Sequence, residues 1–125
     1  DMVWIAGGIG ITPFLSMAKH ETLHPTGRRI DLIWSFRETG DVFHHEELME
    51  ESVKNGDLRY TPWVTGDRGR LSVSDLEGIL GGREELKRRS FFLCGPAAMM
   101  SSLCEQLMEA GVKPRDIVFE DFDLF

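Results

Sequence analysis

Cysteine is scarce in this chain. Its two copies, Cys94 and Cys104, are too few for a disulfide scaffold, and without a CxxC pair they make a poor zinc site, so reduced thiols are expected. Basic residues are in deficit too. Fourteen Lys plus Arg stand against twenty-one Asp plus Glu, a formal net charge of −7, the wrong sign for a surface that coats nucleic acid or an anionic membrane. Any phosphate must therefore be held by local geometry. The longest apolar stretch, Phe91 to Met100, is interrupted by Gly95 and Pro96 and falls short of the ~20 residues of a spanning helix. There is no basic lead before an apolar run at the N-terminus, only Asp1 and then a strand-like segment, so the chain reads as a domain cut from something larger. Repeats and low-complexity tracts are lacking as well. What is present is ordinary globular composition, 42% hydrophobic and 28% charged, over 125 residues, the size of one domain spanning 1–125.

Periodicity divides the chain into alternating strands and helices. Val3 to Ala6 reads as a short buried strand running into the glycine-rich segment Gly7 to Pro13. Thr12 can cap a helix there, with Pro13 at its first position and Ile11, Phe14, Leu15 and Ala18 as its core stripe. Strands are expected over Ile30 to Phe36 and Leu58 to Thr65, with Pro62 demoting the latter to an edge or a bulge. Between them a helix over Val42 to Lys54 is capped by Asp41 and stopped at Asn55-Gly56. Gly66 to Gly69 is turn chemistry, and Ser74-Asp75-Leu76-Glu77 fits a capping box. The charged run Arg83 to Arg89 reads as solvated. Ser90 to Cys94 is a strand buried on both faces, Pro96 starts a helix with Met100, Leu103, Cys104 and Leu107 on one face, and Asp116 to Phe119 is the last strand. The pattern predicts an α/β fold: an open, mostly parallel five-stranded sheet with helices on both faces, whose ligand crevice lies outside the carboxyl ends of the strands.

Two clusters sit where such a crevice would be. Gly7, Gly8 and Gly10 let backbone approach a ligand, and the helix start behind them offers N–H groups to an anion. This reads as a phosphate cradle, with a tight ligand-free connection as the alternative; it is neither the usual dinucleotide fingerprint nor a P-loop. The second cluster, Cys94-Gly95-Pro96, ends the fourth strand, where a glycine leaves room for a flat ring. Cys94 alone also reads as a small buried hydrophobe.

The order of Gly7-Gly8-Ile9-Gly10-Ile11-Thr12-Pro13, Arg37, Cys94-Gly95-Pro96 and Glu120-Asp121-Phe122 resembles the nicotinamide-nucleotide-binding half of ferredoxin–NADP reductase-like flavoenzymes, from Val3 to Phe122. The loop Ser35-Phe36-Arg37-Glu38 with Phe43 and Glu47-Leu48 looks most like the ferric reductase and NADPH oxidase branch, or bacterial flavin and dioxygenase reductases. The resemblance implies a fragment of an NAD(P)H-dependent flavin oxidoreductase that binds NADPH or NADH and presents the nicotinamide to FAD or FMN. The flavin would be held mainly by a preceding barrel domain absent from this chain, so the fragment alone should bind nucleotide without turnover. It implies Gly7, Gly8, Gly10, Thr12 and Pro13 at the pyrophosphate. Arg37 pairs with a 2′-phosphate, Ser35 adding a hydroxyl, unless Glu38 takes a ribose hydroxyl in an NADH enzyme. Pro96 and Met99 lie on the adenosine side. Cys94 with Gly95, and the carboxylate of Glu120, lie beside the nicotinamide as the catalytic pair, and Phe122 or Phe125 covers the flavin. Partners are the flavin-binding domain of the same parent and an electron acceptor of unknown kind, with no nucleic acid. Any membrane contact runs through segments outside this chain, and the location is cytoplasmic or the cytoplasmic face of an anchored parent.

Two rivals remain: a nucleotide-sensing or interaction module of the same fold without redox chemistry, and a flavodoxin-like domain holding a flavin mononucleotide, whose phosphate loop would be richer in Ser and Thr than Gly7 to Pro13. Arg68 and Arg70 either touch phosphate or a partner or belong to a solvated turn. No metal is expected at His44-His45-Glu46-Glu47, because adjacent residues of a helix point about 100° apart. Trp4, Trp34 and Trp63 are expected in the sheet core.

Overall fold

The computed structural model describes residues 1–37 and 42–121, with Val42, Phe43, Glu120 and Asp121 described as backbone only. The described strands are β1 (Met2–Gly7), β2 (Ile30–Phe36), β3 (Leu58–Val64), β4 (Ser90–Gly95) and β5 (Ile117–Asp121), joined by helices α1 (Ile11–Leu23), α2 (Val42–Lys54), α3 (Thr65–Arg68), α4 (Val73–Leu80), α5 (Arg83–Lys87) and α6 (Ala97–Glu109). The strands form one parallel sheet in the order β3-β2-β1-β4-β5. Parallel neighbours need crossover connections, and the helices supply them on both faces.

Each face has its own core. Trp4, Ala6, Leu32, Trp34 and Cys94 point to the α1 and α2 side and pack with Ile11, Phe14, Ala18 and Leu48. Val3, Ile5, Phe91 and Leu93 point the other way, against Val73, Leu76 and Leu80 of α4 and Met100, Leu103 and Leu107 of α6. The alternation along β1 and β4 is the period-2 geometry of a strand, both faces being apolar because both are covered. All three tryptophans are buried, as expected. Pro62 lies in β3, which is an edge strand with a partner on one side only, the place in a sheet where proline is tolerated. The opposite edge, β5, carries Val118 and Phe119 half exposed.

Three local expectations are corrected. Thr12 does not cap α1: Gly10 occupies the cap position, and the Thr12 hydroxyl donates backward to the Ile9 carbonyl at 3.2 Å. The capping box lies two residues earlier than the sequence suggests, with Ser72 and Asp75 exchanging bonds. Starting the helix at Val73 aligns Val73, Leu76 and Leu80 toward the core, and that burial decides between two interlocked Ser-x-x-acid patterns. The run Arg83 to Arg89 is not simply solvated, because it forms α5, buries Leu86 and delivers Arg89 to a buried ion pair. Arg89 Nη1 lies 2.6 Å from Asp31 Oδ2, and Arg59 pairs with the other oxygen of the same carboxylate. Asp41, the expected cap of α2, lies outside the described residues.

Tyr60 of β3 is the chain's single tyrosine and is buried, its hydroxyl 2.9 Å from His45 Nδ1. Burial pushes that hydroxyl well above the ordinary tyrosine range. The folded state thus holds the proton more tightly than the unfolded one, so stability is intact below about pH 10 and declines above it. At about pH 10.5 the folded chain should show no tyrosinate absorbance, which should appear only together with unfolding at higher pH. Tyrosinate forming near pH 10 with native circular dichroism would contradict this.

Candidate functional site

The sheet order creates the site. β1 and β4 are neighbours, yet β1 continues into α1 on one face and β4 into α6 on the other, so a crevice opens between their carboxyl ends. Register places the tips together: Ala6 stands opposite Cys94, Gly7 opposite Ser35, and Cys94 opposite Glu120. The glycine turn and the cysteine-bearing tip therefore share one rim.

They also touch, backbone to backbone. A Cβ on Gly10 would collide with the Cys94 carbonyl, and one on Gly95 would stand 3.0 Å from the Gly7 nitrogen. A Cβ on Gly7 would meet Met99 Sδ at 2.6 Å. At Gly10 backbone leaves room for hydrogen alone, whereas a Cβ on Gly7 or Gly95 would require Met99 or the neighbouring backbone to give way. Gly8 adopts a φ of +54°, the left-handed region, and its carbonyl accepts the Trp34 indole N–H at 2.9 Å, which ties the turn to β2.

Beside this contact, on the α6 side, lies a cleft of about 410 Å3. Gly7 and Gly8 form its floor, Ser35, Phe36 and Arg37 one wall, Pro96, Ala98, Met99, Ser102 and Gln106 of the α6 segment another, and Thr65, Arg70, Leu71 and Ser72 the third. The segment after β3 is drawn over the end of β2 because Gly66 N–H donates to the Arg37 carbonyl at 3.1 Å. Among the described lining residues the charged ones are Arg37 and Arg70, both cationic, in a chain whose net charge is −7. Such a cleft favours an anion with an apolar ring against Met99 and Leu71.

The expected site residues fall into three groups. Gly7, Gly8, Ser35, Arg37, Pro96 and Met99 come together around the cleft. Gly10, Thr12, Pro13, Cys94 and Gly95 do not line it; they form the contact between glycine turn and strand tip and the start of α1 behind it. The Cys94 side chain is 1% exposed and belongs to the core on the α1 face. Glu120 is placed only by its backbone at the end of β5, and Glu38, Phe122 and Phe125 lie outside the described residues.

Sequence reasoning missed Thr65, Leu71, Ser72, Ser102 and Gln106, and gave Arg70 two readings of which the cleft supports the ligand-facing one. One signal was available. Met99, Ser102 and Gln106 recur at i, i+3 and i+7 on a helix that begins at a strand tip, which marks a face turned to the crevice. His44 and His45 turn to different partners, Glu47 at 3.7 Å and Tyr60 at 2.9 Å, and among the described residues no three metal-ligating side chains converge.

Residues 4–105 match the family model described as the oxidoreductase NAD-binding domain. The chain belongs to this family. It is 29% identical to the propane 2-monooxygenase reductase component of Rhodococcus jostii over 96% of its own length and 34% of that protein's, and 30% identical to the flavohemoprotein of Bordetella pertussis over 97% and 32%. In structure it matches the flavohemoglobin of Malassezia yamatoensis, solved with bound FAD and heme, with a TM-score of 0.83 at 28% identity, covering 98% of this chain and 31% of that one. The NAD-binding domain thus spans about a third of the length of these relatives. The five-stranded parallel sheet with helices on both faces is the family's architecture, as the sequence predicts. No described helix is long and apolar enough to cross a membrane.

Proposed function

We propose that this NAD-binding domain grips NADPH, or less tightly NADH, across the β1–β4 crevice and presents its nicotinamide to FAD or FMN held by another domain of the same parent protein. The observation that carries the proposal is the contact of glycine turn and strand tip on one rim beside a cationic cleft: one extended dinucleotide reaches both. The cradle fits because its floor is bare glycine backbone, Gly7 lying against Met99 and Gly8 opening to free space with a left-handed φ.

Hydride chemistry is supplied by the bound nicotinamide and flavin; the chain supplies binding and orientation. Gly7 and Gly8 take the pyrophosphate on the cleft floor, while Gly10 seats the turn against the strand tip and Thr12 and Pro13 shape the start of α1 behind it. Arg37 and Arg70, with the Ser35 hydroxyl, take a 2′-phosphate between two guanidinium forks. Pro96 and Met99 bear the adenosine. For Cys94 the role is one of positioning: its carbonyl abuts Gly10, so its packing fixes where Gly95 stands beneath the ring. Glu120 closes the nicotinamide end, and Phe122 or Phe125 covers the flavin. The parent is an oxidoreductase working in the cytoplasm, with an electron acceptor reached through the flavin.

Calorimetric titration with NADPH, NADH, 2′,5′-ADP and 5′-AMP tests this. Tighter binding of 2′,5′-ADP than of 5′-AMP is expected, with Arg37→Ala and Arg70→Ala each costing about tenfold, as for a charge-assisted hydrogen bond at a partly exposed site. If the two mononucleotides bind alike while NADH binds well, the 2′-phosphate assignment fails and the dinucleotide reading stands. If neither dinucleotide binds, the reading itself fails.

A further inference from the structure

At the far end of α1 from the glycine turn, His20 and His24 stand one helical turn apart with both side chains exposed. His24 is the first residue beyond the helix, and its backbone N–H donates to the His20 carbonyl at 2.8 Å, which holds the two residues in one turn. Their rings lie 4.8 Å apart, centroid to centroid, tilted by 42°.

That separation has a chemical meaning. Two imidazoles that each place a nitrogen about 2.0 Å from one metal ion, at an angle of roughly 90–109°, have centroids roughly 4.4–5.2 Å apart. The observed spacing falls inside this range, so the backbone holds the two rings at the separation that chelation requires, and rotation of exposed side chains sets the nitrogens. We infer that His20 and His24 form a bidentate site for a borderline divalent cation of the nickel, copper or zinc type, which neither the dinucleotide reading nor the family assignment includes. Imidazole nitrogens suit those ions rather than magnesium or calcium.

The surroundings favour a cation. The carbonyls at the end of α1 carry the negative pole of the helix, and the chain bears a net charge of −7. The nearest lysine along the helix, Lys19, is directed away to Glu47 of α2 at 3.1 Å. The Glu21 carboxylate accepts a bond from the Thr26 hydroxyl at 2.8 Å. No third protein ligand joins the pair among the described residues, so water completes the coordination and the ion exchanges readily. The adjacent pair His44-His45 lacks this property, since its members are turned to separate partners.

The test is a calorimetric titration of the full, untagged chain with nickel chloride, paired with melting curves with and without nickel. One ion per chain is expected, with a rise in melting temperature, because an ion bound only by the folded turn stabilises it. The second imidazole acts intramolecularly, so His20→Gln and His24→Gln should each weaken binding on the order of tenfold or more and remove the thermal shift. Both residues are exposed, so the variants should fold as the parent does, and His45→Gln should leave nickel affinity unchanged. Absence of heat at roughly millimolar nickel would overturn the inference, as would affinity that survives in the double variant His20→Gln/His24→Gln.

Discussion

Gly10→Ala is expected to weaken the candidate site strongly by adding a single methyl group. The new Cβ would be driven into the Cys94 carbonyl, with the carbon of that group 2.7 Å away and the Gly95 nitrogen at 3.0 Å. These are backbone atoms of a central strand, paired in register with β1 on one side and β5 on the other, and they cannot swing aside as a side-chain end would. Gly10 has a helical φ of −62°, so the cost is purely steric. Overpacking of this kind costs about 1–3 kcal/mol, and relief comes only by lifting the glycine turn off the strand tip. Dinucleotide affinity measured by calorimetry should fall on the order of 10- to 100-fold, the range that about 1–3 kcal/mol sets, with a comparable loss registered by chemical denaturation. Gly8→Ala provides the contrast. Nothing lies within 4 Å of its Cβ, and the penalty is backbone strain at a φ of +54°, about 1–2 kcal/mol. Equal affinity in Gly10→Ala and the parent would remove the basis for the cradle.

Asp31→Ala should be strongly destabilising although Asp31 lies remote from the cleft. Asp31 is buried in β2, and Arg89, 8% exposed, is held against it at 2.6 Å. Removing the carboxylate strands the guanidinium inside the fold, with Glu85 at 3.7 Å as its remaining acidic partner. Breaking a buried pair by deleting one member costs about 3–5 kcal/mol, a large share of a small domain's stability. Arg59, whose side chain is 59% exposed, adds little because water screens it. The reverse deletion is milder: Arg89→Met leaves Asp31 paired with Arg59 and replaces a buried charge by an apolar side chain of similar reach. Urea unfolding should therefore rank the parent above Arg89→Met and Arg89→Met above Asp31→Ala. The opposite order would mean that the carboxylate, not the guanidinium, is the group the fold can spare.

The same pair marks the limit of what is legible in the sequence. β2 and α2 are found at their observed bounds, because their apolar patterns are strong and their stop signals, such as Asn55-Gly56, are local. Pro62 correctly announces an edge. Arg89 instead takes its environment from a residue 58 positions away, and nothing in the run Arg83 to Arg89 distinguishes the buried arginine from its exposed neighbours. The available hint was Asp31 itself, a carboxylate within an otherwise apolar strand, which demands a counter-charge. The cap of α4 shows a second limit: Ser72-x-x-Asp75 and Ser74-x-x-Glu77 are equally good locally, and only packing against α6 and the sheet selects the first. In the site, the residues on tight connections were found because glycine and proline spacing is local. Thr65, Leu71 and Ser72 depend on how the segment after β3 folds over the tip of β2, a tertiary event.

The two margins of the sheet are not equivalent. One border strand contains Pro62, which has no N–H to donate, whereas the other carries half-exposed Val118 and Phe119. Of the two margins, β5 is the one an added strand would join more readily, since a proline removes a donor from the other.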